Sequence, residues 1–330
     1  MDRINSLSAR YTPEGMWERR ALKRNAASIF VAVLVWMFLR TILSGMILSG
    51  VRILLGMLRI TVTPAHAALI YSATDVLTTL VSMGLPFFIM IKVIDIPLGK
   101  ALPFHVIRTG FDVGSLFIAL AASVIGVYTG SALASAAASG GMSPTPPAFD
   151  LPTDAPSAVF YILSIVIVPA FLEEMVFRGA ILQPLRRFGD GLAIVASAAI
   201  FSLAHLNLYQ IPNAFIMGLL MGYFVVRSGS LWAGVAIHLV NNGVAALFEF
   251  ISSRIPTRLS YAMTLMLYIV YLLVGLTALI VSSRRQKRMF MVRAPQRVLT
   301  SPELSRCYFT SASTVALFIV LAAMTVYATL

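Results

Sequence analysis

The feature that most constrains this sequence is a charged cluster inside an apolar segment. Residues 171–179 have the sequence FLEEMVFRG and lie within an apolar run from about residue 159 to residue 185. A charged side chain at the centre of a membrane helix costs roughly 2.5–3.5 kcal/mol on insertion scales. Two carboxylates and an arginine are therefore tolerated here only if other polar groups of the protein offset that cost.

Helix geometry separates the roles of the two carboxylates. Glu174 and Arg178 are four residues apart, so they share a helix face and can form an ion pair. Glu173 lies about 100° away around the axis, at roughly 3.6 residues per turn, and has no such partner on its own helix. The spacing predicts that Glu174 is structural and that Glu173 is available for chemistry.

Composition places the chain among membrane proteins. Hydrophobic residues make up 59% of it and charged residues 12%, against roughly 45–50% and 25% in soluble domains. The net charge of +12 comes from Lys and Arg clustered beside apolar runs. This pattern is typical of charges that orient membrane helices, so we expect no nucleic-acid partner. The single cysteine, Cys307, excludes an internal disulfide and a multi-cysteine metal site.

The pattern of apolar runs predicts an all-α, polytopic helical membrane protein. We expect about eight to nine transmembrane helices with a conical or bundle-like catalytic core. In the first apolar region a span at 26–46 continues to residue 59, and two short spans within 26–64 remain an alternative. The other predicted spans are 66–91, 113–138, 157–185, 192–206, 212–226, 231–250, 261–281 and 310–330.

These spans divide the chain into four predicted parts. Residues 1–25 form a basic arm, and residues 26–156 contain the N-terminal helices and a Pro-rich loop. Residues 157–250 are the predicted catalytic core, and residues 251–330 are the C-terminal helices with a basic loop at 284–297.

The basic residues also predict an orientation, with the N-terminus cytoplasmic. The arm, the 92–108 segment, the turns at Arg186 and Arg227 and the 284–297 loop then all face the cytoplasm, as the positive-inside rule requires. The Pro-rich loop, with Asp150 and Asp154 but no Lys or Arg, falls on the opposite side. Arg254 and Arg258 are the main exceptions.

Two further predicted helices carry polar side chains in apolar surroundings. The first has His205, and the second has His238 and Asn242 one turn apart on one face. Asn241 also reaches that face, and spacing alone does not choose between the two asparagines. At ~1.5 Å per residue, Glu173 and His205 lie roughly 20 Å from the cytoplasmic ends of their helices and His238 about 10 Å. The three side chains can lie at one level if the helices of Glu173 and His205 project past the membrane surface.

One more ionisable residue, Asp75, falls inside a predicted span. We expect it to bond Thr or Ser groups of neighbouring helices rather than to line a pathway.

Together these side chains can form a hydrolytic site. A carboxylate in a low-dielectric cavity binds a proton more readily, so Glu173 with His205 can activate water. His238 and Asn242 can donate hydrogen bonds to a tetrahedral intermediate, and no cofactor is then required. The alternative is a zinc ion held by Glu173, His205 and His238 with an open position for water. The absence of an HExxH motif counts against zinc.

The three motifs together resemble a known family. Glu173-Glu174-xxx-Arg178, Phe201-xxx-His205 and His238-xxx-Asn242, in this order, are similar to the CPBP family of type II CAAX prenyl endopeptidases and Abi-type bacteriocin-processing or immunity proteins. The resemblance covers about residues 157–248 and implies an intramembrane endopeptidase.

The resemblance also implies a role for each motif residue. Glu173 would be the general base with His205, while His238 and Asn242, rather than Asn241, would form the oxyanion site. Glu174 and Arg178 would have supporting roles.

Three classes of function follow from these observations. The first is an integral, multi-pass membrane protease that cleaves a membrane-associated peptide or protein. The second is a catalytically idle adaptor or immunity protein, against which the intact motifs argue. The third is a transporter whose Glu and His side chains carry protons. An internal repeat would favour a transporter, and the sequence shows no convincing repeat.

Overall fold

The computed structural model describes residues 12–147, 151–152, 154–285, 289–292 and 298–330. Parts of three predicted segments lie outside the described residues: residues 1–11 of the basic arm, Asp150 of the Pro-rich loop, and residues 286–288 and 293–297 of the basic loop. Within the described ranges, seven helices are long and apolar enough to cross a membrane, and a bent helix pair raises the number to eight. The protein is an all-α polytopic helical membrane protein, as predicted.

The helices are labelled in chain order, apart from one short helix at Leu98–Ala101. Helix α5 is a shorter apolar helix of 14 residues, and α9 and α10 form the bent pair, at 56° to each other. The bounds are α1 Pro13–Met57, α2 Pro64–Val93, α3 Val113–Ser139, α4 Ala155–Arg186, α5 Asp190–Leu203, α6 Ile211–Ser228, α7 Leu231–Ser252, α8 Thr257–Arg285, α9 Ser301–Phe309 and α10 Ala312–Tyr327.

The first apolar region is a single helix. A span at 26–46 with a continuation or an interfacial piece to residue 59 was expected, and α1 is one continuous helix of 45 residues, so the continuation is confirmed and the alternative of two short spans is wrong. The arginines that suggested an interruption bond side chains of α2 instead: Arg40 contacts Asp75 at 2.8 Å, and Arg52 contacts the Tyr71 hydroxyl at 3.1 Å. Because both guanidinium groups have partners on the neighbouring helix, no break in α1 is needed. Residues 13–25 of the predicted arm are the first turns of this helix.

Helix α4 starts at a defined cap. Asp154 accepts a hydrogen bond from the backbone N–H of Ser157 at 2.8 Å, and the Ser157 hydroxyl accepts one from the backbone N–H of Asp154 at 3.2 Å. This reciprocal arrangement satisfies two N–H groups that the first helical turn leaves open. The hydrogen bonds from Ser157 hold the pKa of Asp154 below its usual value.

Close packing around α4, α5 and α6 positions the predicted catalytic core. At Gly218 of α6 an added Cβ would lie 3.0 Å from Cα of Ala198 on α5, so the absence of a side chain lets the two helices approach closely. Helix α7 packs against both α4 and α6, and α2 packs against α1 and α4. The core therefore surrounds the charged segment of α4.

Two sets of contacts identify the two ends of the bundle. At one end the buried carboxylate of Glu18 on α1 accepts the backbone N–H groups of Val298 and Leu299, at 3.3 and 3.1 Å. At the other end the N–H of Ser143, after α3, donates to the carbonyl of Thr329, after α10, at 2.6 Å.

Candidate active site

The helix that carries the charged cluster is not a regular α-helix. Residues Leu163–Ile167 and Glu174–Ile181 are π-helical, and the intervening α-helical segment contains Pro169. Proline has no N–H to donate, and π-helical turns shift the backbone pairing, so carbonyl groups of α4 become available to other partners. Ser197 donates to the carbonyl of Phe177 at 2.7 Å. The irregular backbone thus connects α4 to neighbouring helices.

The predicted pair of Glu174 and Arg178 is present and fully buried. Nη1 of Arg178 donates to Oε1 of Glu174 at 2.7 Å, and both side chains have 0% exposure. Nε and Nη2 of Arg178 find no hydrogen-bond acceptor among the described residues. The guanidinium carbon instead lies 4.2 Å from the centre of the Phe201 ring, in a cation–π contact that partly compensates for its burial.

His238 lies between the two carboxylates. Its Nδ1 is 3.2 Å from Oε1 of Glu174, and its Nε2 is 3.8 Å from Oε2 of Glu173. The His238 side chain is 6% exposed and that of Glu173 is 23% exposed. Glu173 is therefore the carboxylate that faces open space, while Glu174 is enclosed and orients the imidazole.

A glycine on α7 makes this contact possible. A Cβ added at Gly234, one turn before His238, would lie 3.0 Å from Cδ of Glu174 and closer still to Oε2. Oε2 has no hydrogen-bond partner among the described side chains and lies against this glycine. Gly234 therefore provides the space that the buried carboxylate occupies.

The other two predicted site residues are held by backbone carbonyls. Nδ1 of His205 is 2.8 Å from the carbonyl oxygen of Phe201, which can only accept, so the neutral ring has its proton on Nδ1. Nδ2 of Asn242 donates to the carbonyl of Ile165 at 3.0 Å. Ile165 is four residues before Pro169, which has no N–H to donate to this carbonyl. Asn242 therefore anchors α7 to α4.

All four predicted catalytic residues line one cavity of about 790 Å³. Asn241 lines it too and donates from Nδ2 to Oδ1 of Asn242 at 3.1 Å, so both asparagines are near the site. Arg40 and Asp75 form another part of the wall, far from the charged cluster in sequence. The expectation that Asp75 bonds Thr or Ser groups was wrong, because Arg40 is its partner and also donates to Thr79 at 2.6 Å.

The described residues offer no group of three His, Cys, Asp or Glu side chains arranged to hold a metal ion. Glu173, His205 and His238 line the same cavity without forming such a set. The choice between metal-free and zinc-dependent hydrolysis stays a prediction.

Sequence reasoning missed three contributors to the site. Phe201 was noted only as part of a motif, yet its ring contacts Arg178, His205 and His238, with ring centroids 4.9 and 6.0 Å apart for the two histidines. The signals for the others were a proline inside an apolar helix, Pro169, and a glycine one turn before a histidine, Gly234. Neither signal is specific without knowledge of the opposing helix.

Comparisons with known proteins match the region of the chain that carries the three motifs. Residues 155–244 match the family model described as type II CAAX prenyl endopeptidase Rce1-like. The chain is also similar to the membrane-embedded CAAX protease MroQ of Staphylococcus aureus (strain USA300), with 32% identity over 99 residues. That alignment covers 28% of this chain, and the chain spans 40% of the length of this relative. No solved structure matches the chain significantly.

The matched residues contain every motif residue assigned above, from Glu173 to Asn242. The apolar helices and this match identify the chain as an integral, multi-pass membrane protein. Over residues 155–244 the chain is thus similar to the type II CAAX prenyl endopeptidases, the group that its three motifs resemble.

Proposed function

We propose that this protein is an intramembrane endopeptidase that hydrolyses a peptide bond of a membrane-associated protein or peptide. The observation that carries the proposal is the contact of Glu173 with His238, at 3.8 Å, in the wall of a cavity large enough for an extended peptide segment. Glu173 is the more exposed of the two adjacent carboxylates, and Glu174 has its charge compensated by Arg178.

In the proposed reaction Glu173 removes a proton from a water molecule as the water oxygen attacks the peptide carbonyl carbon. The neutral His205 ring has its proton on Nδ1, so Nε2 can accept a hydrogen bond from the same water. The new C–O bond gives a tetrahedral intermediate with a negatively charged oxygen. When the C–N bond breaks, the leaving amine takes the proton from Glu173.

His238 and Asn242 would stabilise the negatively charged oxygen. Glu174 accepts at Nδ1 of His238, so Nε2 has a proton to donate only when the ring is the doubly protonated imidazolium. Asn242 uses one amide N–H on Ile165, and its second N–H remains for the intermediate. Removing one donor of this kind typically costs about 10²–10³ in rate.

The test is the isosteric change Glu173→Gln in the full-length protein. We expect the variant to be expressed and inserted like the wild type but to lose cleavage of its native substrate, because an amide cannot take a proton from water. The measurement is a comparison of peptide termini in membranes from cells that contain the wild type, Glu173→Gln or no protein.

Glu14→Gln is the matched control, since Glu14 is exposed at the start of α1 and the chemical change is the same. New termini that depend on the wild type and on Glu14→Gln, but vanish with Glu173→Gln, support the proposal. Identical termini for wild type and Glu173→Gln would instead favour a catalytically idle adaptor.

A further inference from the structure

The two ends of the bundle differ in charge. One end, here called the basic end, contains the N-terminus of α1 and the C-terminal ends of α2, α4, α6 and α8. The other end contains Arg59, Arg254 and Arg258, together with Asp154 and Glu249. By the positive-inside rule the basic end is cytoplasmic. The Lys and Arg residues at the basic end include Lys92, Lys100, Arg108, Arg186, Arg187, Arg227, Arg284 and Arg285.

The catalytic cavity extends from Glu173 and His238 towards the end opposite the basic end. Its wall includes Glu249, three residues before the end of α7, and Pro147 of the loop after α3. Tyr71, near the start of α2, lines it as well. Each of these residues lies close to a helix end that faces away from the basic turns.

The short helices α5 and α6 explain why the cavity opens there. Their connection does not reach the end of the bundle, because a Cβ at Gly130 of α3 would lie 2.9 Å from the carbonyl carbon of Tyr209 in that connection. Gly130 is nine residues before the end of α3, which corresponds to about 14 Å at ~1.5 Å per residue. The connection thus forms the floor of a recess. Asn207 in this floor donates to the carbonyl of Thr145 at 3.1 Å, so the residues that directly follow α3 form part of the recess wall.

On the basic side the site is closed by the segment between α2 and α3. The N–H of Leu231, at the start of α7, donates to the carbonyl of Pro103 at 2.9 Å. The Trp232 ring packs edge-to-face on Phe104 and Phe171, with centroids 5.2 and 5.8 Å apart. At Gly179 of α4 an added Cβ would lie 2.9 Å from the carbonyl oxygen of residue 101. Polypeptide therefore covers the cytoplasmic side of the catalytic cluster.

We infer that the catalytic cavity is reached from the extracytoplasmic face of the membrane. This inference rests on the proposed function, and it specifies the substrate class: a peptide segment exposed at, or inserted from, the extracytoplasmic side, rather than a cytoplasmic tail. The segment passes Glu249 and Pro147 to reach Glu173.

Single cysteines test the sidedness of the cavity directly. The only native cysteine, Cys307, is buried and is replaced in the Cys307→Ser background. Ala246→Cys reports on the cavity wall, Ser253→Cys on the end opposite the basic end and Gly99→Cys on the basic end, where an added side chain meets nothing within 4 Å. A membrane-impermeant maleimide is applied to right-side-out and to inverted vesicles.

Leu247→Cys is the matched control for Ala246→Cys. It is the next residue of α7, has 55% exposure and is absent from the cavity wall, so its thiol would face lipid. We expect Ala246→Cys and Ser253→Cys to be labelled in right-side-out vesicles, Gly99→Cys only in inverted vesicles, and Leu247→Cys in neither.

Three results would overturn the inference: labelling of Ala246→Cys from the same side as Gly99→Cys, its labelling in neither preparation, and labelling of Ser253→Cys only in inverted vesicles. Because labelling does not depend on catalysis, these results are distinguishable from a failure of the proposed protease activity, which Glu173→Gln tests.

Discussion

The substitution Gly234→Ala tests whether the packing of one buried carboxylate controls the site. The new methyl group would lie 3.0 Å from Cδ of Glu174 and closer to Oε2, and also 3.0 Å from Cγ2 of Val225. The carboxylate has to retreat by about 1 Å to reach an ordinary carbon–oxygen contact of roughly 3.3 Å. This movement disturbs the contacts of the carboxylate, since the Glu174 side chain is fully buried and paired with Arg178.

The expected cost falls on activity more than on folding. Alanine is intrinsically better than glycine in a helix by roughly 0.5–1 kcal/mol, which offsets part of an overpacking cost of about 1–3 kcal/mol. The retreat of Glu174, however, breaks or lengthens its 3.2 Å contact with Nδ1 of His238. A displacement of about 1 Å in a catalytic group can reduce the rate by roughly 10²-fold. We therefore expect a near-normal yield with about a hundredfold loss of cleavage.

The assay is the rate of appearance of the wild-type-dependent termini, normalised to the amount of inserted protein. Gly243→Ala is the matched control on α7, where the added methyl group meets only Cγ1 of Val166, at 3.8 Å. It gains the same helix propensity without displacing a charged group. Wild-type cleavage by Gly234→Ala would refute the idea that Glu174 holds His238 in its active position.

Two further predictions concern the ion pair and the metal. Arg178→Ala should reduce the yield of folded protein much more than Asn242→Ala does, because it removes the arginine that pairs with the buried carboxylate of Glu174, at a cost of about 3–5 kcal/mol. Equal yields by detergent-solution chromatography would contradict this. Treatment of the purified protein with a strong chelator should leave cleavage unchanged, and a loss of cleavage that only added zinc restores would favour the zinc alternative.

Local patterns in the sequence predicted much of this architecture. The bounds of α2, α3 and α7 lie within a few residues of the predicted spans, because long apolar runs between polar segments define membrane helices well. The Glu174–Arg178 pair followed from a spacing of four residues, which depends only on contacts within one helix turn.

Contacts between distant segments were harder to predict. The estimate from helix lengths placed His238 about 10 Å shallower than Glu173, at ~1.5 Å per residue. The side chains of His238 and Glu173 meet because the segment before α3 covers the start of α7. There the N–H of Leu231 donates to the carbonyl of Pro103. The continuity of α1 likewise depends on the contact of Arg40 with Asp75, and no spacing rule relates residues of two different helices.

The division of the charged cluster into a structural and a chemical carboxylate is less complete in three dimensions than the spacing suggested. Oε1 of Glu174 contacts both Nη1 of Arg178 and Nδ1 of His238, so the residue that stabilises the buried arginine also orients the imidazole. A change that moves Glu174 therefore moves His238 as well, even when Glu173 is untouched. In the proposed mechanism stability and catalysis are therefore coupled at Oε1, while Gly234 lies against the other oxygen, Oε2, and leaves the space that keeps the carboxylate in contact with His238.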